Sequence, residues 1–170
     1  GTVDSGNSNI LATGAVSVGN IAGTTHVIQG VSIDFTSVAI TGTMTANATG
    51  GSITSGNISA NAADLDALNA IALADATISG GLFADAGGAM SFGALTGRDI
   101  QINAGGTITG TSVISPNATG GIFDRVILNA GGNIGITGLV QAIDVVDISG
   151  TDIVLGSVRS NSGNVLAGGL

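Results

Sequence analysis

Short runs of alternating apolar and polar residues recur along the whole chain. Examples are Val16-Ser-Val18, Val31-Ser-Ile33, Val38-Ala-Ile40, Met90-Ser-Phe92, Ile100-Gln-Ile102 and Ile153-Val-Leu155. A period of two puts the apolar members of each run on one face of a strand. Each run ends at a cluster of Gly, Asn or Ser, and pairs such as Gly50-Gly51, Gly105-Gly106 and Gly131-Gly132 mark corners. Glycine takes the positive φ of a sharp corner without steric cost. The predicted strands, three to five residues each, are too short and too numerous for an α/β fold. They suit a coil that gives every strand a parallel partner above and below.

One stretch nearly repeats itself. Asp99-Ile-Gln-Ile-Asn-Ala-Gly-Gly-Thr-Ile-Thr-Gly110 is matched by Val126-Ile-Leu-Asn-Ala-Gly-Gly-Asn-Ile-Gly-Ile-Thr-Gly138. Ile100 maps to Val126, Asn103 to Asn129, Gly106 to Gly132 and Ile108 to Ile134, all at a spacing of 26. A fainter echo, Gly97–Ile102 against Gly150–Leu155, lies at 53, close to twice that. A unit of strand, Gly corner and strand that recurs in this way is the signature of a solenoid. With coils of roughly 20–27 residues the chain makes about six to eight turns. At about 4.8 Å per coil the rod is roughly 30–40 Å long. Inward Val, Ile and Leu would form its core, each contributing on the order of 1.5–3 kcal/mol when fully buried.

The stretch 61–75 departs from this pattern, being rich in Ala and Leu. Leu65, Leu68 and Ala72 would share one face of a short helix, which could decorate the rod. The same stretch also reads as further coils, with Leu68, Leu73, Ile78 and Phe83 five apart at the centres of successive sides, and Ile71-Ala-Leu73 alternating. Continued coils are the favoured reading. No linker interrupts the chain, so residues 1–170 form one β-solenoid domain. Pro116 stands at a turn before Asn117-Ala-Thr-Gly-Gly121, which echoes Asn47-Ala-Thr-Gly-Gly51.

Composition narrows the function classes. All eleven acidic residues are Asp, Lys and Glu are absent, and Arg98, Arg125 and Arg159 are the only strong bases. The missing Glu and Lys are what exposed helices normally use. Thirty glycines without a Gly-X-Y period, and with a single proline, exclude collagen. An apolar content of 44% argues against disorder. A net charge of −8, with no Trp or Tyr, argues against nucleic acid and anionic membrane as partners. Without Cys there are no disulfides, thiolate chemistry or Cys-based metal sites. No run of about 18 apolar residues could span a bilayer as a helix. No signal peptide is visible at Gly1, so the chain reads as a mature product or a slice of a longer one.

The segment Ala94-Leu-Thr-Gly-Arg-Asp-Ile-Gln-Ile-Asn-Ala-Gly-Gly-Thr-Ile-Thr-Gly110 resembles the repeats of filamentous-haemagglutinin-type adhesins and related autotransporter passengers of Gram-negative bacteria. The similarity is clear over roughly residues 78–168 and looser before. It implies a right-handed parallel β-helix, secretion, cell-surface display, and adhesion or spacing along a shaft. Nothing resembles that family's secretion cap, so on this resemblance the chain is shaft.

His26, the only histidine, could join Asp34 and a serine in a triad, but nothing in the sequence sets that geometry, and an exposed or loop histidine is the expectation. With no second His or Cys, a His-based metal site is not expected. Asp64 and Asp66 share a strand face if extended; Asp144 and Asp147 bracket Val145-Val146, with Asp152 and Arg159 following. Such carboxylates could work on a sugar, but there is no Lys, and Phe35, Phe83, Phe92 and Phe123 look like core rather than sugar platforms. Solvated Asp that keeps rods from aggregating laterally is the default. An occasional Ca²⁺ at Gly corners is conceivable, although the Gly-Gly-x-Gly-x-Asp repeat and the EF-hand loop are both absent. Asn47, Asn57 and Asn117 open glycosylation sequons. Stacked Asn at corners is the better use of such residues, with Asn103 and Asn129 the best ladder candidates.

The expectation is therefore a right-handed parallel β-helix acting as a passive structural rod in a secreted bacterial surface fibre or adhesin. It needs no catalytic, cofactor or metal residues. Its partners would be itself, by end-to-end stacking or continuation of a longer chain, and a host or surface glycan. A carbohydrate-active β-helix, lyase or hydrolase, using clustered Asp is the alternative. An ice-binding solenoid would need a flat Thr ladder, and the Thr spacing is too irregular for one.

Overall fold

The computed structural model describes residues 1–116 and 124–167. They form a parallel β-solenoid of about nine turns in a single 17-stranded sheet. The first coil is β1 (Thr2–Leu11) and the second is β2 (Val16–Gly30). The third contains β3 (Ile33–Ile40) and β4 (Thr43–Ala48), and the fourth β5 (Ile53–Ala60) and β6 (Ala62–Ala67). The fifth contains β7 (Ile71–Leu73), β8 (Ala76–Ile78) and β9 (Gly81–Ala86). Then come β10 (Met90–Thr96) with β11 (Asp99–Ala104), β12 (Ile108–Ile114) with β13 (Arg125–Ala130), β14 (Ile134–Gln141) with β15 (Val145–Gly150), and β16 (Ile153–Arg159) with β17 (Ser162–Ala167). Strands run longer than three to five residues where extended backbone passes a corner without interruption; β2 covers fifteen.

The fifth coil shows the plan of the others. Its three short sides are β7, β8 and β9, and β5 of the coil before pairs with both β7 and β8. Three side-chain columns account for most of the core. The first runs Val16, Ile33, Ile53, Ile71, Met90, Ile108 and Ile134. The second, on the next side, runs Ile21, Val38, Ile58, Ala76, Leu95, Val113 and Val140. On the third side, large and small residues exchange places from coil to coil: Met44 with Ala46, then Ala63 with Leu65, then Leu82 with Ala84. All of these are buried. Such alternation fills a narrow interior without voids. Ala48, Ala67, Ala86, Ala104 and Ala130 form a further column at the corner, where the wall leaves room for one methyl group.

The coil count corrects the expectation of six to eight. Neighbouring coils are 17 to 20 residues apart, as with Ile21 and Val38 or Val38 and Ile58. The spacing of 26 belongs to one junction, where Ile100 pairs with Val126 and Ile108 with Ile134. That coil carries an insertion between β12 and β13. Asn117–Gly121 and Phe123 of the sequence argument lie outside the described residues. The echo at 53 crosses sides: Ile100 belongs to the column of Val126 and Val146, whereas Ile153 pairs with Ile134.

No helix forms among the described residues. Residues 62–67 and 71–73 are strands β6 and β7, as continued coils require. Leu65 is fully buried, while Leu68 is 61% exposed, so the two do not share a core face. Leu73 and Ile78 point inward, but Phe83 is exposed, because its register partners Asp64 and Gln101 are outward positions of the wall. Phe35 and Phe92 are core. Each has a small residue at the same position of the next coil, Ser55 below Phe35 and Gly110 below Phe92.

Candidate functional site

The most developed polar feature is a ladder on the third side, at the last outward position before the corner. Asn47, Asp66, Asp85, Asn103 and Asn129 occupy it in successive coils. Asn129 Nδ2 donates to Asn103 Oδ1 at 3.0 Å, and Asn103 Nδ2 donates to Asp85 Oδ1 at 2.6 Å. At the other end Asn47 Nδ2 donates to Asp66 Oδ2 at 3.4 Å. The Asn103–Asn129 stack is the one expected from the repeat. Its extension to Asp85 was within reach, since Asp85-Ala-Gly-Gly88 matches Asn103-Ala-Gly-Gly106 at a spacing of 18; Asp66, followed by Ala67-Leu68-Asn69, carries no such match. The ladder borders a shallow groove of about 590 Å³ floored by Ala and Gly at the corner. Its exposed oxygens can accept hydrogen bonds from hydroxyl or amine groups.

A second polar cluster closes the coil with the insertion. Arg98 and Asp99 in one coil face Asp124 and Arg125 in the next. Arg125 donates to both Asp99 oxygens, Nε to Oδ1 at 2.7 Å and Nη2 to Oδ2 at 3.1 Å. Its pKa is raised, first by that hydrogen bond, against the lowering effect of burial, and further by the Asp99 charge. Asp124 is buried, and its Oδ1 lies 3.6 Å from Arg98 Nε, within ion-pair reach but beyond hydrogen-bond length. Ser115 Oγ donates to the Arg98 carbonyl at 2.7 Å. The two in-register pairs hold the start of β13, where the chain leaves the insertion, against the preceding coil, and Ser115 ties the residue after β12 to the same place.

The aspartates considered for catalysis are spread out. Asp144 lies at the corner before β15, where its Oδ2 accepts from the Asp124 amide at 3.2 Å. Asp147 stands on β15, paired with Ile127, and accepts from the Asn164 amide at 3.0 Å. Asp152 lies at the following corner, its carbonyl accepting from Ile134 N, and Arg159 ends β16 beside Gln141. No ion pair joins these four among the described residues. Asp64 and Asp66 do share the outward face of β6. No group of three or more His or Asp placed to hold a metal ion occurs among the described residues.

His26 is not an exposed loop residue; it is fully buried. It occupies an inward position of β2, two before Ile28, stacked between Ser8 and Met44. The alternation of His26 and Ile28 with exposed Val27 carried that signal. Ser8 Oγ lies 2.5 Å from His26 Nδ1, while Nε2 has no partner. Asp34 is exposed on a different side, paired with Ser17 and Thr54, so no triad forms. Asn57 Oδ1 accepts from the Asp75 amide at 3.4 Å, and Asn47 belongs to the ladder, so both sequon asparagines described serve contacts between coils.

Fold and surface together define a parallel β-solenoid whose ordered polar features are ladders along its axis. No protein-family model, curated protein or solved structure matches the chain.

Proposed function

We propose that this chain is a structural rod: a segment or subunit of a secreted bacterial cell-surface fibre or adhesin, assembled end to end. The observation that carries this reading is the continuous core: columns of buried side chains run from coil to coil, from Val16 to Ile134 and from Ile21 to Val140, and the polar features of the surface follow the axis as ladders instead of converging on a site. The continuous core gives stiffness, and a net charge of −8 keeps neighbouring rods apart. The Asp/Asn ladder is the surface best suited to contact a glycan. The scattered positions of Asp144, Asp147, Asp152 and Arg159 lend no support to the carbohydrate-active alternative.

Immunogold electron microscopy of the producing cells tests the reading. Label on extracellular filaments is expected; label confined to the cell interior would overturn it.

A further inference from the structure

Two aspartates meet at the centre of the ladder. Asp66 and Asp85 are register partners on adjacent coils, both exposed. Their carboxylates therefore stand one rung apart, about 4.8 Å along the axis. Asn47 donates to Asp66 from one side and Asn103 to Asp85 from the other. Neither amide stands between the two, and like charges facing across a ladder oppose each other. A positively charged donor placed there would hydrogen-bond to both and relieve the contact.

Exposed apolar side chains flank this pair on either side. Leu68, 61% exposed, follows Asp66 by two residues, just past the corner. Phe83, 40% exposed, precedes Asp85 by two on β9. Positions two apart on a strand lie about 7 Å from one another. The Phe83 ring leans back over Gly81, where a Cβ would come within 2.8 Å of it, so the glycine gives the ring room to lie along the strand. Beyond the ladder, the groove is kept open by the backbone. Gly87, Gly105 and Gly131 follow Leu68 in the same column, and a Cβ at each would run into a carbonyl oxygen of the coil before. The floor is bare at those three positions, and Leu68 closes one end. No arginine lines the groove among the described residues.

We propose that Asp66, Asp85, Leu68 and Phe83 bind an amine-bearing polysaccharide, a linear chain of hexosamine units laid along the ladder. The inference rests on the glycan contact of the reading above and adds the class of sugar and the residues that select it. One ammonium group donates to Asp66 and Asp85 together. The C–H faces of the sugar rings cover Leu68 and Phe83, and the Phe83 ring also attracts the cation. Hydroxyls of the following units donate to the side-chain oxygens of Asn103 and Asn129, which recur at a spacing close to the length of one sugar ring. Acidic sugars are rejected, because carboxylates with no cation in the groove repel them. A basic peptide would also satisfy the carboxylates, but the shallow glycine floor offers its side chains no pockets. A polysaccharide presents the same unit at every rung.

Calorimetric titration of the whole chain with a β-1,4-linked glucosamine hexamer tests the proposal, in mildly acidic buffer where the sugar amines are charged. Binding should be at least about tenfold tighter than for the N-acetylated hexamer, which keeps the rings and lacks the charge. A galacturonate hexamer should not bind. Asp66→Asn and Asp85→Asn should each weaken binding by about tenfold. Asparagine at either place still accepts from the neighbouring amide, so the urea midpoints should hold. Leu68→Ser and Phe83→Ser should each weaken binding by about threefold. Asp152→Asn, at an exposed corner away from the ladder, should change nothing. No binding of the glucosamine hexamer, equal binding of the N-acetylated one, or an equal loss in Asp152→Asn and Asp85→Asn would overturn the inference. So would a lysine hexapeptide that binds as tightly as the sugar while Leu68→Ser and Phe83→Ser have no effect, since that reports charge alone. Extracellular filament label without hexamer binding overturns this inference and leaves the rod standing; hexamer binding by a chain labelled only inside the cell does the reverse.

Discussion

Arg125 and Asp99 lie 26 residues apart in sequence and one rung apart in space, joined by hydrogen bonds of 2.7 and 3.1 Å. Together with Arg98 and Asp124 they close the only coil that carries an insertion among the 17–20-residue turns described. Both side chains of the stronger pair are partly exposed, which limits its worth. Asp99→Ala should cost about 0.5–1 kcal/mol in urea unfolding. Arg125→Met should cost a similar amount, and the double variant little more than either alone, as a double-mutant cycle would show.

The pH dependence of this pair follows from the arginine. Its folded-state pKa is raised, so its contribution is fully present below the unfolded value and is lost only as pH rises through the folded one, in strong alkali. The stability difference between wild type and Arg125→Met should therefore stay flat from about pH 6 to about pH 10. Urea midpoints across that range check it; a fall near neutrality would contradict the assignment.

Leu65 and Leu68 separate the coil from the helix that the Ala/Leu composition suggested. Leu65 is fully buried and Leu68 largely exposed. Leu65→Ala should destabilise by about 2–5 kcal/mol, and Leu68→Ala should fall within about 0.5 kcal/mol of wild type. Equal losses on chemical denaturation would favour a shared helical face.

Gly110 leaves room for the ring of Phe92, and a Cβ there would overlap that ring. Gly110→Ala should cost about 1–3 kcal/mol through overpacking, and adding Phe92→Leu should recover much of it. Gly135, where a Cβ meets nothing within 4 Å, should accept alanine. Thermal melts of the three variants would test both statements.

Ser8 is the sole partner of His26, whose Nε2 is already without one. Ser8→Ala should destabilise by about 1–3 kcal/mol, because it leaves a buried imidazole with no hydrogen bond. Replacing both, Ser8→Ala with His26→Leu, should be close to neutral, since apolar groups need no partner there. Urea unfolding of the single and double variants measures this.

The alternation, the Gly corners and the Asn103–Asn129 stack were all visible in the linear sequence. Each is a local rule: period two sets a face, and glycine sets a corner. The Arg125–Asp99 pair was within reach, since the alignment that matched Ile100 with Val126 also matched the residues before them. His26 was within reach too, through its alternation with Ile28.

Coil length was not. The most conspicuous repeat, at 26 residues, spans the one coil with an insertion, while the ordinary spacing of 17 to 20 leaves little trace in residue identity beyond the Ala-Gly-Gly of 86–88 and 104–106. The physical reason is that a core column constrains volume summed over facing positions, not the residue at any one of them. Met44 above Ala63, and Ala46 above Leu65, satisfy the same space with unrelated side chains. The sequence by itself therefore determined strands, corners and a solenoid. Only the tertiary structure decided the number of coils and the side each residue faces.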